Sequence, residues 1–193
     1  MGAVARTMMT AALLLASSTI ALAQAAPQVK FATSAGDFVV ELYPDKAPKT
    51  VENFLQYVKD KHYNGTIFHR VINNFMIQGG GFDASYQQKP TRPPVPHEGR
   101  QSMEKGLLNV VGTLAMARTN DPQSATAQFF INVRDNAFLD PSTQAFGYTV
   151  FGKVVSGMDV VDAIKATPTG PGGPFGSDVP KTPILINSAT LVK

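Results

Sequence analysis

Residues 67–82, Ile-Phe-His-Arg-Val-Ile-Asn-Asn-Phe-Met-Ile-Gln-Gly-Gly-Gly-Phe, constrain this chain more than any other stretch. The runs 67–72 and 75–78 read as two strands turned at Asn73-Asn74, because asparagine tolerates the positive φ of a tight turn. Side chains alternate along a strand, so Phe68, Arg70 and Ile72 share one face and His69 and Val71 the other. A guanidinium in the middle of an apolar strand is rarely buried without a partner or a task. Gln78, across the hairpin, is placed to hydrogen-bond and orient it. Gly79-Gly80-Gly81 leaves room for a backbone or ligand to come close. The plain alternative puts Arg70 in solvent beside ordinary core residues.

The first 26 residues read as lying outside the fold. Arg6 supplies a positive n-region, residues 8–22 are apolar and rich in small side chains, and Ala21-Leu22-Ala23 and Ala23-Gln24-Ala25 both fit a small-residue cleavage site. The expectation is a secretory signal peptide over 1–23, with cleavage as late as 26, and a single domain over 27–193. The alternative, a membrane anchor, is disfavoured because the run is short and diluted by Ser17, Ser18 and Thr19. Removing 23 of the 193 residues leaves 170, enough for one sizeable core. Loss of Arg6 takes the net charge from +3 to +2. With no basic run, nucleic-acid binding has little support. Cysteine is absent, which excludes disulfides, thiol catalysis and cysteine-based zinc sites.

Strand signals at 29–33 and 37–43 flank the turn Ser34-Ala35-Gly36. Val51, Phe54, Leu55 and Val58 then fall on one helical stripe, with Pro48 suited to the first turn, and the helix stops near Tyr63-Asn64-Gly65. His62, near that end, reads as a surface residue. The segment 82–107 is polar and rich in proline, an extended surface loop. Strands follow at 112–118 and 128–133. On the second, Phe129, Ile131 and Val133 share one face, and Gln128, Phe130 and Asn132 the other. An apolar floor with a few placed polar groups is how a small-ligand site looks. The loop 136–141 exposes Phe138 and Leu139. A strand over 146–152 precedes a helix capped by Ser156, with Asp159 three residues on and Met158, Val161 and Ile164 on its apolar side. The Gly- and Pro-rich 168–183 reads as loop, and 184–192 as a last strand. About eight strands and two helices without β-α alternation indicate an all-β fold. A closed barrel would remove its edges, with two amphipathic helices capping the open ends.

Other motifs are weak. Gly147-Tyr148-Thr149-Val150-Phe151-Gly152-Lys153 imitates the start of a P-loop, but Val154 stands where a Ser or Thr is needed for magnesium. His62, His69 and His97 show no metal-ligand spacing, and His69 reads as a core or supporting residue opposite Arg70. No Gly-x-Ser-x-Gly motif occurs.

Taken together, 68–72, 75–80, Leu114-Ala115-Met116-Ala117, Gln128-Phe129-Phe130-Ile131 and 150–154 resemble the cyclophilin family of peptidyl-prolyl cis/trans isomerases. The resemblance runs from about Val29 to the C-terminus. With the leader, the chain is similar to the periplasmic cyclophilins of Gram-negative bacteria. It implies a closed eight-stranded antiparallel β-barrel capped by two α-helices, and isomerisation of X-Pro bonds in exported, periplasmic clients. On that resemblance Arg70 is the catalytic arginine. Phe75, Met76, Phe130 and Leu139 form the proline pocket, and Gln78 positions the arginine and contacts the substrate backbone. Ala117, Arg118 and Gln128 line the groove for residues preceding proline; many relatives carry Asn at the Arg118 position. Phe138 stands where many eukaryotic members have Trp, and Tyr148 where they have His. The Trp is associated with tight cyclosporin binding, so weak cyclosporin binding is expected here. The chemistry calls for no metal or cofactor. Monomer is the default, and after leader cleavage no membrane or nucleic-acid partner is expected. The alternative function is a chaperone module that holds proline-containing segments without turnover.

Overall fold

A computed structural model describes residues 26–192, so the leader expected over 1–23 lies outside the described residues. The elements are β1 (Gln28–Thr33), β2 (Gly36–Leu42), α1 (Pro48–Lys59), β3 (Thr66–Ile72), β4 (Met76–Asp83), α2 (Gly99–Glu104), β5 (Thr113–Met116), β6 (Phe129–Asn132), β7 (Val150–Ser156), α3 (Met158–Lys165), β8 (Thr169–Gly172), β9 (Phe175–Pro180) and β10 (Leu185–Leu191). Eight strands close a barrel in the order β1-β10-β3-β4-β6-β5-β7-β2, with every pair antiparallel. Closure satisfies the edges that an open sheet would leave bare. This is the expected all-β barrel with helices packed on it. No helix among the described residues is long and apolar enough to cross a membrane.

Inward-facing Phe31, Phe38, Val40, Phe68, Ile77, Leu114, Phe129, Ile131, Phe151 and Ile186 make the main core, each at most 1% exposed. Burying a side chain of this size contributes about 1.5–3 kcal/mol. α1 joins that core because Val51, Phe54 and Val58 lie on one face of it. Phe54 meets Phe151 at 5.0 Å and Tyr63 at 5.2 Å between ring centroids. α3 adds Val161 and Ile164. A second, smaller cluster forms on the outward positions of four neighbouring strands: Met76 on β4, Phe130 on β6, Ala115 on β5 and Val150 on β7. Leu107 and Leu139 from loops cover it. The barrel wall is thus apolar on both sides here.

Several local expectations need correction. The turn at 73–75 uses no positive φ; Phe75 N–H donates to the Ile72 carbonyl at 3.0 Å instead. Strand β3 does not alternate evenly. Phe68 pairs with Gly79 and Arg70 with Gln78, so His69 is an extra residue in a β-bulge. The bulge puts Phe68 and Val71 in the main core and turns Arg70 and Ile72 outward. Ser156 ends β7 rather than capping α3; the cap residue is Gly157 at φ 77°, with no side-chain cap bond. Residues 146–149 precede β7 instead of belonging to it. The segment read as loop over 168–183 contains the hairpin β8–β9, whose two strands pair with each other. The loop 82–107 carries α2. His62 is buried: its Nε2 lies 3.1 Å from the Gly80 carbonyl, and its ring packs on Tyr57 at 4.7 Å. The end of α1 turns it into the space beside the glycine run, and desolvation lowers its pKa.

Candidate active site

Strand pairing brings distant positions into one row. Arg70 lies opposite Gln78, Gln78 opposite Phe130, Phe130 opposite Ala115 and Ala115 opposite Val150. One register shift would turn these side chains to the other face. Over this row runs a groove of about 690 Å³. Its lining includes Arg70, Phe75, Met76, Gln78, Ala117, Arg118, Gln128, Phe130, Leu139 and Tyr148. Of the residues singled out in the sequence, Phe138 stands at the rim. It is 73% exposed and stacks on Phe75 at 5.6 Å and 27°. Leu139, expected to be exposed beside it, is buried in the floor.

The apolar end of the groove is Phe75, Met76, Phe130, Leu139 and Tyr148, with Phe130 edge-on to Tyr148 at 5.5 Å. A polar network fixes its shape from behind. Asn132 Nδ2 donates to Asn109 Oδ1 at 3.2 Å and to Thr113 Oγ1 at 3.0 Å. Asn136 Nδ2 donates to Asn132 Oδ1 at 2.8 Å and to the Phe75 carbonyl at 2.9 Å. Asn109 donates twice to Asp140 Oδ1, each at 2.8 Å. The loop bearing Phe138 and Leu139 is therefore tied to the strand carrying Phe130 and to Phe75. Asn132, grouped in the sequence with the groove's polar residues, works beneath the floor and is fully buried.

The polar side differs from expectation in one bond. Gln78 Nε2 donates to Gln128 Oε1 at 3.0 Å, and Gln78 accepts no bond from Arg70. Arg70 is exposed to the groove, and its guanidinium makes no hydrogen bond to Gln78 and no ion pair among the described residues. Its donors are thus free for a ligand. Arg118 is anchored instead. Nε and Nη2 donate to the Gly147 carbonyl at 3.1 and 2.9 Å, Nη1 donates to the Thr119 carbonyl at 2.8 Å, and the guanidinium carbon lies 4.6 Å from the Tyr148 ring centroid. His97 reaches the same carbonyl: Gly99 N–H donates to its Nδ1 at 3.3 Å, which leaves Nε2–H to donate to Gly147 at 3.2 Å. Desolvation lowers the His97 pKa, against the Gly147 bond and with help from Arg118.

The groove has residues that sequence reasoning missed as lining: His69, Phe82 and the 174–178 stretch of the β8–β9 hairpin. His69 is 4% exposed, packed on Phe82 at 4.7 Å and Phe175 at 5.4 Å, and its Nδ1 has no hydrogen-bond partner among the described residues. Desolvation, and then the positive charge of Arg70, hold its pKa down at about 4. No local signal marks the hairpin, because its Gly and Pro content hides the pairing. The alternation break at His69 is likewise visible only in the register.

Residues 28–191 match the family model described as cyclophilin type peptidyl-prolyl cis-trans isomerase/CLD. The chain is 56% identical over 167 residues to peptidyl-prolyl cis-trans isomerase cyp18 of Streptomyces antibioticus, covering 85% of this chain and 98% of the relative. It is 55% identical over 166 residues to peptidyl-prolyl cis-trans isomerase B of Escherichia coli K12, covering 84% and 98%. A crystal structure of a cyclophilin type peptidyl-prolyl cis-trans isomerase from Cryptosporidium parvum, in the presence of the dipeptide Ala-Pro, has the same fold. Its TM-score is 0.66 at 24% identity, covering 86% of this chain and 99% of that one.

Proposed function

This chain belongs to the cyclophilin-type peptidyl-prolyl cis-trans isomerase family and is an enzyme of that activity; from that premise we propose how its groove performs the reaction. The X-Pro amide is held planar by resonance, with a barrier of ~18–20 kcal/mol. At the twisted transition state the prolyl nitrogen becomes pyramidal and gains a lone pair. Arg70 donates a hydrogen bond to that lone pair, which the planar ground states do not offer, so the bond is selective for the transition state. A charged donor contributes about 1.5–3 kcal/mol, or one to two decades of rate. The observation that carries this reading is the Arg70 guanidinium, unpaired and facing the groove beside an apolar floor.

Phe75, Met76, Phe130 and Leu139 clamp the proline ring. The twisted amide has lost its resonance and is less polar than the planar one, so an apolar wall disfavours it less. Gln78, paired with Gln128, and Ala117 and Arg118 beside them hold the chain preceding proline, which confines rotation to one bond. No nucleophile, general base or cofactor takes part in this scheme. Phe138 and Tyr148 frame the rim. With Phe in place of Trp at 138, cyclosporin binding is weak, and a titration that finds tight inhibition overturns that point.

The clients in this proposal are proline-containing segments of exported proteins in the periplasm. They are met by a monomer consisting of one domain over 27–193 after loss of a leader of 23 to 26 residues. The test is the exchange rate of an Ala-Pro peptide in a protease-free assay, comparing wild type with Arg70→Ala and checking both folds by circular dichroism. Arg70→Ala is expected to lose ten- to a hundredfold in rate. A folded variant that turns over like wild type removes Arg70 from the mechanism. A folded wild type that binds peptide without accelerating exchange leaves the holding module instead.

A further inference from the structure

The groove continues beyond Arg70 to a wall made by His69 and Phe82 of the barrel and Phe175 and Asp178 of the β8–β9 hairpin. In the sheet order β3-β4-β6-β5, Arg118 follows β5 on one flank, and this wall lies against β3 on the other. A peptide whose leading residues lie along Ala117 and Gln128 therefore leaves the proline pocket towards the hairpin. Phe82 and Phe175 meet edge to face at 5.2 Å. Asp178 accepts a bond from Ser177 Oγ at 3.0 Å and has no ion-pair partner among the described residues. Its backbone sits at φ 64°, a region that few side chains other than Asn and Asp adopt readily. The next residue, Val179, is buried.

Resting on the reading of the groove given above, we propose that this wall is a specificity subsite for a lysine or arginine two or three residues after the proline. The aliphatic stem of such a side chain covers the aromatic rings, and its charge meets the Asp178 carboxylate and a ring face. Arg118 and the free Arg70 make the rest of the groove cationic, so Asp178 is the place where a cation is welcome.

The test compares kcat/KM for peptides that differ only in carrying Lys or Glu at the second or the third position after proline. Wild type is expected to favour Lys over Glu by about three- to tenfold at low salt, and the preference shrinks as salt rises. In Asp178→Asn the ratio falls towards one; Asn tolerates the same backbone conformation, so the hairpin is kept. A wild type with no preference at either position, or an equal ratio in wild type and Asp178→Asn, overturns the subsite. The rate on an all-Ala flanked peptide and its loss in Arg70→Ala report separately on the groove, so the two readings fail independently.

Discussion

A methyl group on residue 81 would overlap the Gln128 side chain, so Gly81 is where the strand makes room for the side chain that Gln78 holds. Gly81→Ala must push Gln128 aside and break the Gln78–Gln128 bond, with an overpacking cost of about 1–3 kcal/mol. The expected outcome is a severalfold fall in kcat/KM, carried mainly by KM, in a protein that still folds. Kinetics indistinguishable from wild type would show that this bond does not shape the groove. The glycine run was legible as a close approach, but what approached it was not. Likewise Arg70 stood out in an apolar strand, yet its separation from Gln78 follows from the tertiary pairing of two glutamines 50 residues apart.

At the scale of elements, α1 shows how a distant residue completes a helix. Its cap residue Ala47 has no side-chain acceptor, and the first turn holds no acidic residue. Glu98, buried in the loop before α2, accepts Lys49 N–H at 3.1 Å, Thr50 N–H at 2.8 Å and Thr50 Oγ1–H at 2.7 Å. One carboxylate thus satisfies two of the four N–H groups that a helix start leaves bare. It also pins the proline-rich loop to the body of the protein. Glu98→Gln keeps the size and loses the charge, and should lower stability by about 1–3 kcal/mol in urea unfolding. An unchanged midpoint would mean that water serves these donors as well. The apolar stripe and Pro48 announced this helix from the sequence, but the cap is 48 residues away in the chain and no local pattern connects the two. The hairpin β8–β9 escaped for a related reason. Its Gly- and Pro-rich strands show no alternation, and they pair beside β3 because the barrel presents His69 and Phe82 to Phe175.

For the molecule as a whole, two buried histidines and the half-buried His97 contribute to the response to acid. His69 has its pKa held at about 4 against an ordinary 6.5, and those of His62 and His97 are also lowered. An unfolded chain takes up these protons first. The stability they confer is therefore complete above about pH 6.5 and is lost as pH falls towards 4. For His69 alone the difference amounts to ~3 kcal/mol. Melting temperature should fall between pH 6.5 and 4, and His69→Phe, which keeps a ring against Phe82 and Phe175, should flatten that slope. An equal slope in the variant would assign the acid sensitivity elsewhere.

The sequence alone determined the class of this protein. Period-two alternation, a few helical stripes and turn residues dictate an all-β chain with helices, because these are local consequences of backbone geometry. The groove's apolar residues were named by the chain's resemblance to the cyclophilin family and not by a local pattern, because apolar side chains at strand positions are ordinarily core. Only the tertiary structure decided which face each occupies. One bulged residue in β3 separates Phe68 from Arg70, and strand pairing aligns Arg70, Gln78 and Phe130 in a single row. Register is a property of two strands together, and closing the barrel sets it for all eight at once, so no single stretch of sequence carries it.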